Sequence, residues 1–560
     1  MAKFKYNEVE PLSRVRDLIT HGVEKTPDRA AFIYKKGKDV IEVSYTNLYD
    51  EIVALGNAFA ARGFIGGKHI ACIGANSYKY VCSYLSTLSG DNVFVPVDKD
   101  LPEQDIINVI SNSDAEAVLC DKKYEEIFIN NSSSLPNLKL IVGFDRETDS
   151  DKVISFSTMM AEGKKLASEG YSVYTDSKSD LDALKLLVYT SGTTGMAKGV
   201  MLTERNLISC VYYGLHVAVI YDRCLSVLPY HHTYESVCNI LVSLRMRSTI
   251  CINESLRVVL SNLQLYKPSY VMLVPAFAEL FYKRIWASAE ESGRSKKLKM
   301  GIKISRILRK VGIDIRRKLF ADIHNTFGGN LREIVCGGAP IRPEIGKFFD
   351  DIGIDVLIGY GITECSPLVS VNSPRLNDFS TAGIILPTLE VTIDNPNEDG
   401  DGEICVKGPT VMLGYYKNPE ATAQVLIDGV FHTGDIGHVT SKNQVVINGR
   451  KKNLIVLKNG KNIYPEEIEN YILSIPYIKE VVVSSITDEN GAEIGLAAEV
   501  FLNAEQIEKS GIVANLEKVK GDITETLSIL PSYKHVTEVT IREKEFDKTT
   551  TSKIKRTYKK

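Results

Sequence analysis

The sequence lacks a run of 18 apolar residues, so nothing in it reads as a membrane span. Its start, Met1-Ala-Lys-Phe-Lys, has no apolar stretch of the kind a secretory leader needs. It lacks excess charge of either sign: 67 basic against 70 acidic residues leave −3. That excludes a general nucleic-acid coat and leaves room only for a local anion-binding patch. The ten cysteines are scattered, with no C-x-x-C and no histidine at zinc spacing. Internal repeats and low-complexity tracts are missing as well. The expected setting is the reducing cytoplasm.

What is present is a long globular chain. Its 560 residues are 44% hydrophobic and 24% charged, which predicts three to four folding units at about 150 residues each. Short apolar runs alternate with helical patterns. His69-Ile-Ala-Cys-Ile, Asn92-Val-Phe-Val-Pro-Val, Ala115-Glu-Ala-Val-Leu-Cys, Leu138-Lys-Leu-Ile-Val, Tyr270-Val-Met-Leu-Val and Glu333-Ile-Val-Cys read as buried strands. Residues 42–60 read as a capped amphipathic helix, with Ser44 or Thr46 as N-cap. After about residue 385 the strands shorten and the turns fill with Asn, Asp and Gly.

Residues 294–318 are unusual. They hold eleven Lys or Arg against one acid, Asp314. Met300, Ile304, Ile307, Leu308, Val311 and Ile315 recur at helical spacing on one face. Two readings stay open: a helix packed by that face with basic residues in solvent, or one adsorbed to an anionic membrane surface.

The most informative stretch is Leu187-Val-Tyr-Thr-Ser-Gly-Thr-Thr-Gly-Met-Ala-Lys-Gly-Val200. A strand runs into a loop with three hydroxyls (Ser191, Thr193, Thr194), three glycines (Gly192, Gly195, Gly199) and one cation, Lys198. Glycines let backbone N–H groups approach an anion, and hydroxyls and an ammonium complete a phosphate cradle. No Gly-Lys-Ser/Thr closes the loop, so it is not a Walker A motif.

Residues 189–199 resemble the signature loop of the acyl-adenylate-forming superfamily, with Ala197 where that family has proline. Further segments resemble the family's other motifs, in order: Leu228-Pro-Tyr-His-His-Thr-Tyr234, Cys336-Gly-Gly-Ala-Pro340, Gly359-Tyr-Gly-Ile-Thr-Glu364, Phe431-His-Thr-Gly-Asp435, Gly449-Arg450, Lys458-Asn-Gly460 and Lys548-Thr-Thr-Thr-Ser-Lys-Ile-Lys-Arg556. The series runs from 189 to 556, most of the chain.

The resemblance implies an α/β fold. A large N-terminal domain, 1–449, would comprise parallel α/β subdomains and a small β-rich subdomain at roughly 385–449. A small mobile α/β domain, 450–560, would follow, hinged at Lys452. It implies ATP, Mg²⁺ and coenzyme A as cofactors. Attack of a carboxylate on the α-phosphate brings two anions together, so cations must offset their repulsion. By resemblance, Glu364 holds Mg²⁺, and Thr363 and Thr190 offer hydroxyls to phosphate. Tyr360 stacks on adenine, lined by Gly338, Ala339 and Pro340. Asp435 and Arg450 take the ribose, and His232 gates the acyl site while His231 is structural. Lys553 is the catalytic lysine, with Ser552 and Asp547 where the family has glycine and proline. Gly460 lines the thiol channel.

No acid follows the gating position until Glu235, which disfavours an α-amino acid substrate. The segments around 274–285 and 327–340 resemble the long-chain fatty acyl-CoA synthetase branch. Three functions are weighed: a ligase joining a medium- or long-chain fatty acid to CoA, a fatty acyl-AMP ligase loading an acyl carrier protein, and a non-enzymatic nucleotide- or lipid-binding scaffold. Nucleic acid is not an expected partner.

Overall fold

The computed structural model describes residues 4–178, 180–190, 197–458, 461–488, 493–548, 554 and 556. Strands such as His69–Ile73 and Val93–Val97 are buried along almost their whole length, the pattern of a sheet covered on both faces. Among the described residues, eight strands form one sheet. Its order is Gly414–Tyr415, Lys198–Thr203, Leu184–Thr190, Val93–Val97, His69–Ile73, Ala117–Cys120, Leu140–Gly143, Ile154–Ser155. From Leu184–Thr190 onward its neighbours run parallel. A nine-stranded sheet follows the order Ile384–Ile385, Leu368–Val371, Asp355–Gly361, Glu333–Cys336, Tyr270–Leu273, Arg223–Ser226, Thr249–Ile252, Ala30–Lys36, Asp39–Ser44. Its central strands, from Asp355–Gly361 to Ala30–Lys36, are parallel. Parallel strands gather their C-terminal ends on one side, where α/β sheets bind ligands.

A smaller third sheet orders Glu390–Asp394, Gly402–Lys407, Val430–Val439 and Leu426–Ile427, with Val445–Arg450 also paired to Val430–Val439. This is the β-rich region that short strands and Asn/Asp/Gly turns predict. Near the C-terminus, Ile478–Thr487, Glu493–Leu502 and Glu538–Arg542 form a three-stranded sheet. The helices Pro465–Ile472 and Leu516–Leu527 bury Ile468, Ile472, Val519, Ile523 and Leu527 in the core shared with that sheet. The chain divides into two compact units. One is Met1–Val391 with Val406–Phe431 and Thr440–Val445; the other is Thr392–Cys405, His432–Val439 and Val446–Lys560.

Two local expectations meet the structure differently. The expected capped helix runs Tyr45–Ala61, directly after the strand Asp39–Ser44 that holds Glu42 and Val43. Ser44 is its N-cap, accepting from the Asn47 N–H at 3.1 Å. The basic segment is not one helix packed by its Met300–Ile304–Ile307 face. It forms Ser295–Lys310 and Arg316–Leu319, and Leu298, Gly301, Ile302 and Ser305 are the buried positions of the first. No helix among the described residues is long and apolar enough to cross a membrane.

Candidate active site

The first unit places several expected residues together. Leu184–Thr190 and Lys198–Thr203 pair antiparallel, with Thr190 opposite Lys198. The glycine-rich loop therefore leaves the sheet at a hydroxyl and returns at an ammonium. Ser191, Gly192, Thr193, Thr194 and Gly195 lie outside the described residues.

On the other side of Lys198–Thr203 runs Gly414–Tyr415, with Tyr415 opposite Val200. The Lys198 ammonium lies 4.9 Å from the centre of the Tyr415 ring, a cation–π distance. The Tyr415 hydroxyl donates to Glu364 Oε1 at 2.8 Å. Burial, reinforced by the Glu364 charge, pushes this phenol well above its ordinary pKa, so it stays a proton donor. Glu364 sits on the short 3₁₀ turn Thr363–Cys365. Its backbone carbonyl accepts from the Met412 N–H at 2.9 Å. The carboxylate is therefore held by one oxygen. The other takes no hydrogen bond or ion pair from a described residue.

Gly361 explains part of the motif that carries Glu364. A Cβ there would lie 2.4 Å from the Pro367 carbonyl oxygen, a backbone atom that cannot step aside. Only glycine lets the strand turn into Ile362-Thr363-Glu364 beside Pro367.

Glu333–Cys336 and Asp355–Gly361 are parallel neighbours, with Cys336 opposite Ile358. Gly338 and Tyr360 thus follow the same ends of adjacent strands. Gly338 has φ +81°, and Gly338, Ala339 and Pro340 are exposed. Tyr360 is only 7% exposed. The Tyr234 hydroxyl donates to the Val335 carbonyl at 3.0 Å, and a Cβ on Gly337 would come within 3.1 Å of the Tyr234 ring. This ties the His232 segment to the Gly-Gly-Ala-Pro turn.

His231 and His232 occupy a turn before the π-helix Tyr234–Leu241, and their ring centroids are 4.1 Å apart. His231 Nε2 faces Asp98 Oδ2 at 3.6 Å, and burial holds its imidazole below the usual pKa against the pull of Asp98.

In the second unit, Arg450 Nε meets Asp435 Oδ1 at 2.9 Å. Asp435 is 3% exposed, whereas the Arg450 side chain remains 40% exposed. The Thr433 hydroxyl fixes the turn by donating to the Ile404 carbonyl at 2.7 Å and accepting from the Asp435 N–H at 3.0 Å. Beside it, Glu403 accepts from the Gly434 N–H at 3.0 Å and pairs with Lys451 at 2.6 Å. Burial alone would raise the Glu403 carboxyl, but Lys451, His432 and the Gly434 amide hold it below its ordinary value. Lys452 is exposed on the 3₁₀ turn Lys451–Asn453. Gly460 and Lys553 lie outside the described residues.

The donor set suits a magnesium–nucleotide ligand. A fixed carboxylate with a free oxygen is what a hard cation takes beside phosphates. Lys198 offers a compact charge of the kind that suits phosphate.

A family model described as "AMP-binding enzyme" matches residues 19–416. The chain belongs to the AMP-binding enzyme family. Among curated relatives, it is 27% identical over 544 residues to the long-chain-fatty-acid–[acyl-carrier-protein] ligase AEE15 of Arabidopsis thaliana, covering 84% of this chain and 74% of that protein. It is 26% identical over 487 residues to the long-chain-fatty-acid–CoA ligase FadD15 of Mycobacterium bovis, covering 82% and 78%. Among solved structures, it resembles an anthranilate CoA ligase with bound anthranoyl-AMP at TM-score 0.77 and 17% identity, covering 98% and 96%. It also resembles the o-succinylbenzoate CoA synthetase of Bacillus subtilis at TM-score 0.72 and 20% identity, covering 97% of both chains. The likenesses to the solved structures show that the chain shares their fold.

Within this AMP-binding enzyme, sequence reasoning passes over Tyr415, the residue that links Lys198 to Glu364. The available signal is a Gly-Tyr pair in a short strand, Gly414 having φ 142°. Without the strand pairing, nothing connects it to positions 198 and 364.

Proposed function

We propose that this chain is an ATP- and Mg²⁺-dependent ligase for medium- or long-chain fatty acids. It forms acyl-AMP with release of pyrophosphate, then transfers the acyl group to coenzyme A with release of AMP. The observation that carries this reading is Lys198 and Glu364 joined through Tyr415, next to the Thr190 hairpin. Bound at Glu364, Mg²⁺ would offset phosphate charge. Lys198 and Thr190 would hold phosphate oxygens, Thr363 would add a hydroxyl, and Tyr415 would fix the carboxylate. Tyr360 with Gly338, Ala339 and Pro340 would receive adenine, and Asp435 with Arg450 the ribose. His232 would stand between nucleotide and acyl chain.

In this reading Lys553 neutralises the meeting of carboxylate and α-phosphate, and Gly460 lines the path of the thiol. The domains are 1–449 and 450–560, and they alternate between the two half-reactions about Lys452. The setting is the cytoplasm, with peripheral contact at the inner face of a membrane through residues 294–318.

A second acceptor is kept because one relative is named a fatty-acid–[acyl-carrier-protein] ligase. The test is pyrophosphate release over carboxylates from short to long, with and without CoA. Long-chain-dependent release with acyl-CoA formation supports the ligase. Release without thioester until a carrier protein is added supports the second acceptor. No release with any carboxylate overturns both and leaves the scaffold.

A further inference from the structure

The helix Ser295–Lys310 carries two apolar stripes, and the protein covers one. Leu298, Gly301, Ile302 and Ser305 are buried, with Leu298 and Ile302 in the same core cluster as Phe320 and Phe348. Met300, Ile304 and Ile307, continued by Val311 just past the helix, are 62%, 44%, 64% and 69% exposed. Their spacing of four, three and four residues places them on one line along the helix axis, at about 100° per residue. That line lies roughly 140° around the helix from the buried one. Beyond it, Ile313 is 50% and Leu319 42% exposed.

The charges divide in the same way. Arg306 pairs with Asp351, Arg309 with Asp350 and Arg316 with Asp314 and Asp350, so these arginines are engaged within the protein. Lys296, Lys303 and Lys310, seven residues apart, flank one side of the exposed stripe, and Lys297 flanks the other. All four are exposed, and none is paired with an acid among the described residues. Asp314, the one acid of the segment, is held by Arg316, which first among its neighbours draws its carboxyl down to about 2.

We propose that this face docks on an anionic lipid surface. Met300, Ile304, Ile307 and Val311 enter the boundary between headgroups and acyl chains, and Lys296, Lys297, Lys303 and Lys310 meet the phosphates. An apolar stripe edged by lysines is the pattern of a helix lying in the membrane plane. The idea rests on the proposed reading of the chain as a fatty-acid ligase, and it names where such an enzyme meets a lipid-borne substrate.

The test sediments the full chain with vesicles of phosphatidylcholine alone or mixed with phosphatidylglycerol. Adenylation of a water-soluble medium-chain acid is measured on the same samples. Binding should occur with the anionic vesicles and weaken with salt. Ile304→Ser with Ile307→Ser, and separately Lys296→Ala with Lys303→Ala and Lys310→Ala, should each lower it about tenfold or more, with adenylation unchanged. Equal binding by variants and parent, or none by the parent, overturns the docking face. Salt-resistant binding of equal strength to neutral vesicles overturns the charge part. Concentration-dependent dimers lost with the isoleucines, without vesicle binding, overturn the lipid as occupant. Because binding is read without turnover, a failed fatty-acid reading shows in the adenylation arm alone.

Discussion

Tyr415 donates its hydroxyl to Glu364 at 2.8 Å, although the two residues lie far apart in sequence; the Met412 N–H, donated to the Glu364 carbonyl at 2.9 Å, holds the two segments together. The same ring underlies Lys198. One phenol therefore orients the carboxylate proposed for the metal and seats the cation proposed for the phosphates. Tyr415→Phe should keep the ring and lose the hydrogen bond. A bond to a charged group contributes about 1.5–3 kcal/mol, so pyrophosphate release should slow about ten- to a hundredfold. Tyr415→Leu should slow it further, since the cation–π contact goes too. An unchanged rate in Tyr415→Phe would remove Glu364 positioning from the mechanism.

Gly361→Ala should inactivate without unfolding. The new methyl would sit against the Pro367 carbonyl, where a Cβ has only 2.4 Å. Relief must displace the turn bearing Thr363 and Glu364. Adenylation should fall at least tenfold, while the circular-dichroism spectrum stays that of the parent. Parental activity would mean the turn tolerates the shift.

The buried end of the Asp435–Arg450 pair is the aspartate. Arg450→Ala removes that partner from a carboxylate already out of water, which should cost about 1–3 kcal/mol of stability. Asp435→Ala should act mainly on nucleotide binding, raising KM for ATP more than it lowers kcat. If KM for ATP is unmoved in both variants, the pair is structural and the ribose contact lies elsewhere.

Lys553→Ala should slow acyl-AMP formation by orders of magnitude yet leave thioester formation from supplied acyl-AMP largely intact. Gly460→Leu should do the opposite. Equal loss in both half-reactions for Lys553→Ala would deny it the assigned role.

Glu235 predicts a pH dependence of stability. It is fully buried and accepts from Ser226 at 2.5 Å, Asn239 at 2.8 Å and the Leu228 N–H at 3.3 Å. Burial outweighs those bonds and pushes its carboxyl up to about 7. The folded chain thus holds this proton more tightly than the unfolded one. The stabilisation is complete below about pH 4.5 and is lost as pH rises through about 7, on the order of 3 kcal/mol in all. Glu235→Gln should flatten the slope of unfolding free energy between pH 5 and 8. The same slope in the variant would assign it to other groups.

Part of the candidate site is legible in the residues themselves: Lys198 stands in a glycine- and hydroxyl-rich run whose residue types suit phosphate. Glu364, Thr363, Thr190, Asp435 and Arg450 are reached only through motifs that resemble those of the acyl-adenylate-forming superfamily. Strands such as Ala117–Cys120 show themselves by unbroken apolar character, because a doubly covered strand has no polar face to interrupt it. The helix start is legible as a capping hydroxyl, but Ser44 and Thr46 fit that rule equally, and only the pairing of Ala30 with Ser44 and Phe32 with Val43 shows that the strand ends at Ser44 and the helix follows.

Residue type and local spacing are enough to say which chemistries this chain has available and in what order they occur, since neither depends on distant neighbours. Packing in three dimensions supplied the rest. It chose which stripe of Ser295–Lys310 the core covers, because periodicity gives an angle around a helix and not the identity of what lies against it. It set the His231 and His232 rings side by side, tilted to one another, by turning the chain there. It brought Tyr415 between Lys198 and Glu364, because pairing two strands distant in sequence depends on the whole sheet being built.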